Sequence, residues 1–353
     1  MTSIFAEQHK SLLPRSLRKV RTAAVSLFVA AGVLAWQSNC LAAGAEMAPV
    51  ADEPIRPLPA APKLDPFKVS LGAQLFNDRR LSANNAMSCA VCHDLQSNGA
   101  TNRAKDTGSF GQSMRRNTPT IFNSSLNFRQ FWDGRTATQE GLITEVLLNP
   151  LVMRSTWADV LAKLRGDAAL AKKFRSSYPD GVQQANVIDA LSVYIQSLRT
   201  PNARIDRYLQ GDITALSSDE VRGYQLFKGY GCVACHQGAN IGGNMFQVLG
   251  VVGKRGEYFE RHGSGTPDLG RFSISKEESD KFVFRVPSLR NVAVTPPYFH
   301  DGSAKTLPDA VRVMFEYQLG RKPSEQDVDL VVKFLNTLTG EYQGRPLRSQ
   351  EVH

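Results

Sequence analysis

Apolar side chains recur along this chain at the spacing of helices, and almost nowhere at the two-residue spacing of strands. Leu71, Leu75 and Phe76 fall on one side of a helix that Asp65-Pro66 opens, Asp as N-cap and Pro as first helical residue. Val187, Ile188, Leu191, Ile195 and Leu198 share a face that stops before Pro201. Val328, Val331, Val332, Leu335 and Leu338 do the same between Ser324 as cap and Gly340 as terminator. An internal echo accompanies the pattern. Gly72-Ala73-Gln74-Leu75-Phe76 is matched by Gly223-Tyr224-Gln225-Leu226-Phe227, and a capping box, Ser217 with Glu220, opens the second copy. Pro49 to Pro66 is a Pro, Ala and Asp tether with no period of either kind. The pattern predicts a mainly α fold.

Each echo precedes the same short motif: Cys89-Ala90-Val91-Cys92-His93 and Cys232-Val233-Ala234-Cys235-His236. Two thiols three positions apart can form thioethers to one porphyrin, and the adjacent His then lies beneath the ring as axial ligand. The rival chemistries are a redox pair, a zinc half-site and disulfides. Zinc wants four ligands in one tetrahedron, and one motif supplies three. A redox Cys-x-x-Cys has no use for the His, which occurs twice here. Two covalent c-type haems are therefore expected. Helix, haem motif, variable middle and closing helix occur twice, matching the plan of small cytochromes c, in which first and last helices cross. The expected architecture is two cytochrome c-like haem domains in tandem, residues 65–210 and 211–345, meeting near 205–216. A tether, 46–64, precedes them and a tail, 346–353, follows.

Compartment follows from the first residues. Residues 1–21 are basic, Thr22–Trp36 is almost wholly apolar, and Ala43-Gly44-Ala45 offers the small-x-small pattern of signal peptidase. Residues 1–45 are expected to be a cleaved signal peptide, because the apolar run is too short to span a bilayer as a permanent membrane anchor. A lipidated Cys40 is the alternative, although Gln37-Ser38-Asn39 is a poor approach to one. Export suits c-type haem, which is attached afterwards, so the expected location is the periplasm. Cleavage removes five basic residues and one acidic one, taking the net charge from +9 to +5. The basic balance is thus mostly a property of the targeting segment, and no nucleic-acid partner is implied.

Four longer runs lie in order around the motifs: Arg116-Asn117-Thr118-Pro119-Thr120, Phe131-Trp132-Asp133-Gly134-Arg135, Val286-Pro287-Ser288-Leu289-Arg290-Asn291-Val292 and Thr295-Pro296-Pro297-Tyr298-Phe299-His300-Asp301-Gly302. On these the chain resembles the bacterial diheme cytochrome c peroxidases and the MauG group, over nearly all of its mature length. The resemblance implies reduction of hydrogen peroxide at the N-terminal haem, with electrons from a small cytochrome c or copper protein entering at the C-terminal haem. It implies Met314 as sixth ligand of that second haem, where the MauG group carries Tyr. On residues alone, Met245 competes with Met314, and core filling is the ordinary fate of either. The resemblance further implies Trp132 as the bridge between haems, and one calcium ion held by Asn117 and the backbone carbonyls of Thr295 and Pro297, oxygen donors of the kind calcium prefers. It implies a homodimer as candidate assembly. His300 lies in the last of these runs with no metal partner in sight, and is expected to be a hydrogen-bonding core residue and not an iron ligand.

The chain departs from the family around the N-terminal haem. No histidine lies between His93 and His236, and Ser109 stands near the place of the usual second His ligand. That iron is expected to be open, or capped by Met114. Where the family sets Gln, Pro and Glu over the peroxide, this chain has Leu142, Val146 and Val152. Breaking the O–O bond needs a group that moves a proton between the oxygens, which valine cannot do. Glu145 is the expected substitute, with Glu140 nearby. Two alternatives to peroxidase therefore stand. One is an electron-transfer or redox-sensing cytochrome that has lost this machinery. The other is oxidative modification of a partner protein in the manner of MauG, against which Met314 and the missing Glu both count.

Overall fold

The computed structural model of the chain describes residues 53–253, 256–262 and 266–350. The expected signal peptide, its cleavage site and Cys40 lie outside the described residues. Among the described residues there are twelve helices and two small antiparallel sheets. In the first half these are α1 (Pro66–Phe76), α2 (Cys89–Cys92), α3 (Gln139–Leu148), α4 (Trp157–Arg165), α5 (Ala168–Ser177) and α6 (Gln184–Ser197). In the second they are α7 (Arg204–Leu209), α8 (Ser218–Gly229), α9 (Glu257–His262), α10 (Phe272–Ser275), α11 (Leu307–Leu319) and α12 (Glu325–Asn336). Strands β1 (Phe246–Val248) and β2 (Val283–Arg285) pair with Phe246 opposite Arg285, and β3 (Glu341–Tyr342) pairs with β4 (Arg345–Pro346). The mainly helical expectation holds.

Helix starts follow their sequence signals. Asp65 accepts from the Phe67 N–H with Pro66 at the first helical position, and Ser217 and Glu220 form the full capping box of α8. Each echo glycine sits at a helix crossing. A Cβ on Gly72 would lie 2.0 Å from the Ala190 carbonyl of α6, and one on Gly223 2.0 Å from the Leu330 carbonyl of α12. Only a bare Cα lets these backbones approach so closely. One core gathers Leu75, Leu164, Phe174, Val187 and Leu191; a second gathers Ile205, Tyr224, Phe227, Phe334 and Leu338. A small third cluster, Leu249, Tyr258, Phe259, Phe284 and Tyr317, has Trp132 and Met314 packed against it.

Three details differ from expectation. Gly340 does not end α12, which stops at Asn336 with Thr337 as its cap. Gly340 is instead required by contact, since a Cβ there would meet the Thr200 carbonyl at 2.1 Å. The segment near 205–216, expected as a seam, packs into the second core through Ile205, Leu209 and Leu216. The Pro-rich tether is no free linker where it is described. Ile55 is 1% exposed within the second core and bridges to Gly238, while Glu53 takes hydrogen bonds from Tyr224 and Lys228. The C-terminal tail mirrors it. Leu347 joins the first core, and Gln350 bonds the backbone of Ala100 and Asn102. Each end of the described chain is thus fastened to the half remote from it in sequence.

Candidate active site

The two Cys-x-x-Cys-His motifs are built alike. Ser88 precedes the single turn of α2, and the His93 N–H closes onto the Cys89 carbonyl at 2.9 Å. Gly231, at φ +87°, opens a 3-10 turn over Cys232–Ala234, and the His236 N–H closes onto the Cys232 carbonyl at the same distance. The echo phenylalanines explain why each motif has its own helix before it. Phe76 lies against His93 with ring centroids 6.5 Å apart, and Phe227 against His236 at 6.4 Å.

Both imidazoles are held deep. Burial lowers the pKa of His93 and brings that of His236 down to about 4, so each is neutral at pH 7. His93 Nδ1 donates to the Gly99 carbonyl at 2.9 Å, which leaves the Nε2 lone pair for a metal. Burial also pushes the thiols of Cys89 and Cys92 up to about 12 and that of Cys232 to about 11. All four motif cysteines are free, and no cluster of three or more His, Cys, Asp or Glu suited to a metal occurs among the described residues. A haem fits this setting. Thioether formation consumes neutral thiols, and the porphyrin iron needs only a neutral imidazole from below.

One continuous cavity of about 1880 Å³ joins the motifs. That is well above the roughly 300–1,000 Å³ of an ordinary small-molecule pocket. It brings together the residues expected to hold the haems and the calcium, to bridge the haems and to carry the proton: the four cysteines, His93, His236, Met314, Trp132, Asn117, Thr295, Pro297 and Glu145. Leu142, Val146, Val152 and Met114 also line it; Met245, Ser109 and Glu140 do not. Met245 instead gives its carbonyl to the Val286 N–H, and the buried Ser109 hydroxyl makes no hydrogen bond. Glu140 accepts from Ser192 at 2.9 Å, on the side of α3 that faces α6.

The middle of the cavity is organised around Asn117 and Trp132. The indole N–H donates to the Asn117 carbonyl at 2.9 Å, and the Asn117 N–H donates to the His300 carbonyl at 2.7 Å. The Asn117 amide nitrogen is spent on the Arg103 carbonyl. His300 is 2% exposed and packs on the rings of Phe284, Phe259 and Trp132, so its setting is an aromatic core.

A ladder of alternating charge, unsuspected from the sequence, runs along the same wall. Arg116 pairs with Asp268 at 2.6 Å and with Asp133 at 2.5 Å; Asp133 pairs with Arg135, which grips Glu145. Burial works to lower the Arg116 pKa, but its two carboxylates hold it above the usual value. Glu145 also borders a small outer cleft with Thr144, Asn149 and Pro150, so it stands between cavity and surface. Arg285 was missed as well. It sits immediately before the Val286-Pro287 run, and adjacency to that run was the only signal it gave.

A family model described as di-haem cytochrome c peroxidase matches residues 66–214. The cytochrome c peroxidase Ccp of Escherichia coli is 41% identical over 292 residues, 82% of this chain and 62% of that protein, so the chain spans less than two thirds of that relative. The cytochrome c551 peroxidase of Nitrosomonas europaea is 36% identical over 90% of this chain and 88% of its own length. Among solved structures, a MauG-like protein associated with microbial copper homeostasis superposes with a TM-score of 0.70 at 27% identity, covering 84% of this chain and 95% of that one.

Proposed function

The chain belongs to the di-haem cytochrome c peroxidase family, and from that premise we propose that it is a periplasmic two-haem oxidoreductase reducing hydrogen peroxide with electrons from a small cytochrome c or copper protein. The observation that carries this reading is the single cavity in which both Cys-x-x-Cys-His motifs, Met314 and Trp132 meet. The first half holds one haem through Cys89, Cys92 and His93; the second holds the other through Cys232, Cys235 and His236. Bound haem supplies an iron that passes single electrons and, at the N-terminal site, meets peroxide.

The chain's own residues do the rest. Buried neutral imidazoles present a lone pair to each iron. The Met314 thioether is the second protein ligand at the C-terminal site and favours the reduced state there. Trp132, fixed by its bond to Asn117 and packed on the cluster that also holds Met314, is the bridge between sites. Asn117 and the carbonyls of Thr295 and Pro297 hold calcium, which ties together loops from the two halves. Glu145, poised between cavity and outer cleft, carries the proton that Val152 cannot.

One observation favours a second reading. Leu142, Val146 and Val152 all face the cavity, so the wall where acid–base groups are expected is apolar. On that reading the protein passes or senses electrons without consuming peroxide. Steady-state oxidation of a reduced small cytochrome c separates the two. The peroxidase reading expects oxidation that depends on added peroxide and is lost in Trp132→Leu. Donor oxidation no faster with peroxide than without it would leave the second reading standing and remove the first.

A further inference from the structure

Arg285 lies in the wall of the cavity, 3% exposed, with no carboxylate to balance it. Its Nε donates to the Phe131 carbonyl at 3.2 Å, and its Nη1 to Asn127 Oδ1 at 3.2 Å and the Val286 carbonyl at 3.4 Å. All three acceptors are neutral, and among the described residues no ion pair engages it. Burial alone pulls its pKa down, to about 10, which still leaves the guanidinium charged at pH 7. A buried cation without an anion is costly, and a group of opposite charge joining it would offset that cost. Arg116, in the same cavity, shows the contrast, because it has two carboxylates of its own.

The surroundings say where the anion comes from. Arg285 is the last residue of β2 and pairs in register with Phe246 of β1, whose neighbour Gln247 reaches Cys235 Sγ at 4.0 Å. Asn127 Oδ1, which accepts from Arg285, also accepts from Asn240 at 3.0 Å, and Asn240 follows His236 by four residues and takes a hydrogen bond from Ser288 at 2.9 Å. This polar patch therefore belongs to the wall around the second motif. A haem carries two propionates that an apolar cavity cannot solvate. We propose that Arg285 is the counter-ion of a propionate on the C-terminal haem, a positioning residue that seats this cofactor and raises its potential. The inference rests on the reading that Cys232, Cys235 and His236 hold a haem. The Arg285 N–H also donates to the Trp132 carbonyl at 2.8 Å, so the residue that seats the haem fixes the backbone of the bridging tryptophan too.

The test is a redox titration of the purified two-haem protein, each haem followed by its own spectrum, in the unmodified chain, Arg285→Gln and Arg285→Lys. Intact mass first establishes that two haems are attached. With both present, Arg285→Gln is expected to shift the C-terminal haem toward the oxidised state by about tenfold in its equilibrium constant, 59 mV for one electron. Arg285→Lys, which keeps the charge, is expected to recover at least half of that shift. Two haems with an unmoved potential in Arg285→Gln, or equal shifts in both variants, would overturn the assignment. Absence of the second haem from the unmodified protein would overturn the underlying reading instead, so the two failures are distinct. Should Arg285→Gln not accumulate, the propionate bending modes in resonance Raman decide from the lysine variant. They move if Arg285 contacts a propionate, and identical spectra refute it.

Discussion

At the scale of single residues, the site separates into parts the sequence announces and parts it hides. Cysteine, histidine and methionine carry chemistry by identity, so the two motifs, and Met314 and Met245 as rival candidates, were legible before any coordinates. The difference between Met314 and Met245 was not, because both sit in sequence contexts that also suit core packing. Of these two, only Met314 reaches the cavity. Met314→Ala is accordingly expected to lower the potential of the C-terminal haem and remove its thioether-to-iron charge-transfer band, while Met245→Ala leaves both in place; a redox titration with near-infrared spectra checks this. At the other haem the question is a proton. Val152 lies in the cavity wall where a carboxylate is expected, and Glu145, seven residues earlier in the chain, is held by Arg135. General acid–base help is worth about 10²–10⁴-fold. Val152→Glu should therefore raise peroxide turnover, more so beside Leu142→Gln, and Glu145→Gln should abolish what activity the unmodified chain has. Unchanged turnover in Glu145→Gln would mean that this carboxylate carries no proton.

At the scale of elements, local signals worked where partners are near in sequence. Asp65 and Ser217 cap the helices they were expected to cap, because capping needs only the next three residues. The strap around Ile55 was not legible: its β-bridge partner, Gly238, lies far along the chain, and a Pro-rich composition reads as linker whether or not it docks. The end of α12 was misplaced for a related reason, since Gly340 answers to the Thr200 carbonyl and not to its own helix. The echo glycines join both kinds of signal. Gly72 and Gly223 recur in sequence because each lets the helix before a Cys-x-x-Cys-His motif cross the closing helix of its half with backbones in contact. Gly72→Ala and Gly223→Ala should each destabilise by about 1–3 kcal/mol or more through overpacking. Thermal unfolding of the holo-protein measures it, and a loss below about half a kilocalorie per mole, the range of ordinary surface changes, would contradict the crossing geometry.

At the scale of the molecule, the described chain is organised around one cavity, and its ends hold the halves about it. The strap at Glu53–Leu58 binds the second half, and the hairpin of β3 and β4 with Leu347 and Gln350 binds the first. Tandem arrangement was legible from the repeated unit; reciprocal fastening was not, because nothing local distinguishes a docked terminus from a free one. The charge ladder from Asp268 to Glu145 was invisible for the same reason, its members being scattered from 116 to 268. All of this has a purpose only if two covalent haems fill the cavity. The intact mass of the purified protein after acid extraction tests that most directly. The account expects the apoprotein mass plus two haems, both surviving extraction. A mass with one haem, or haem lost to the acid, would contradict it.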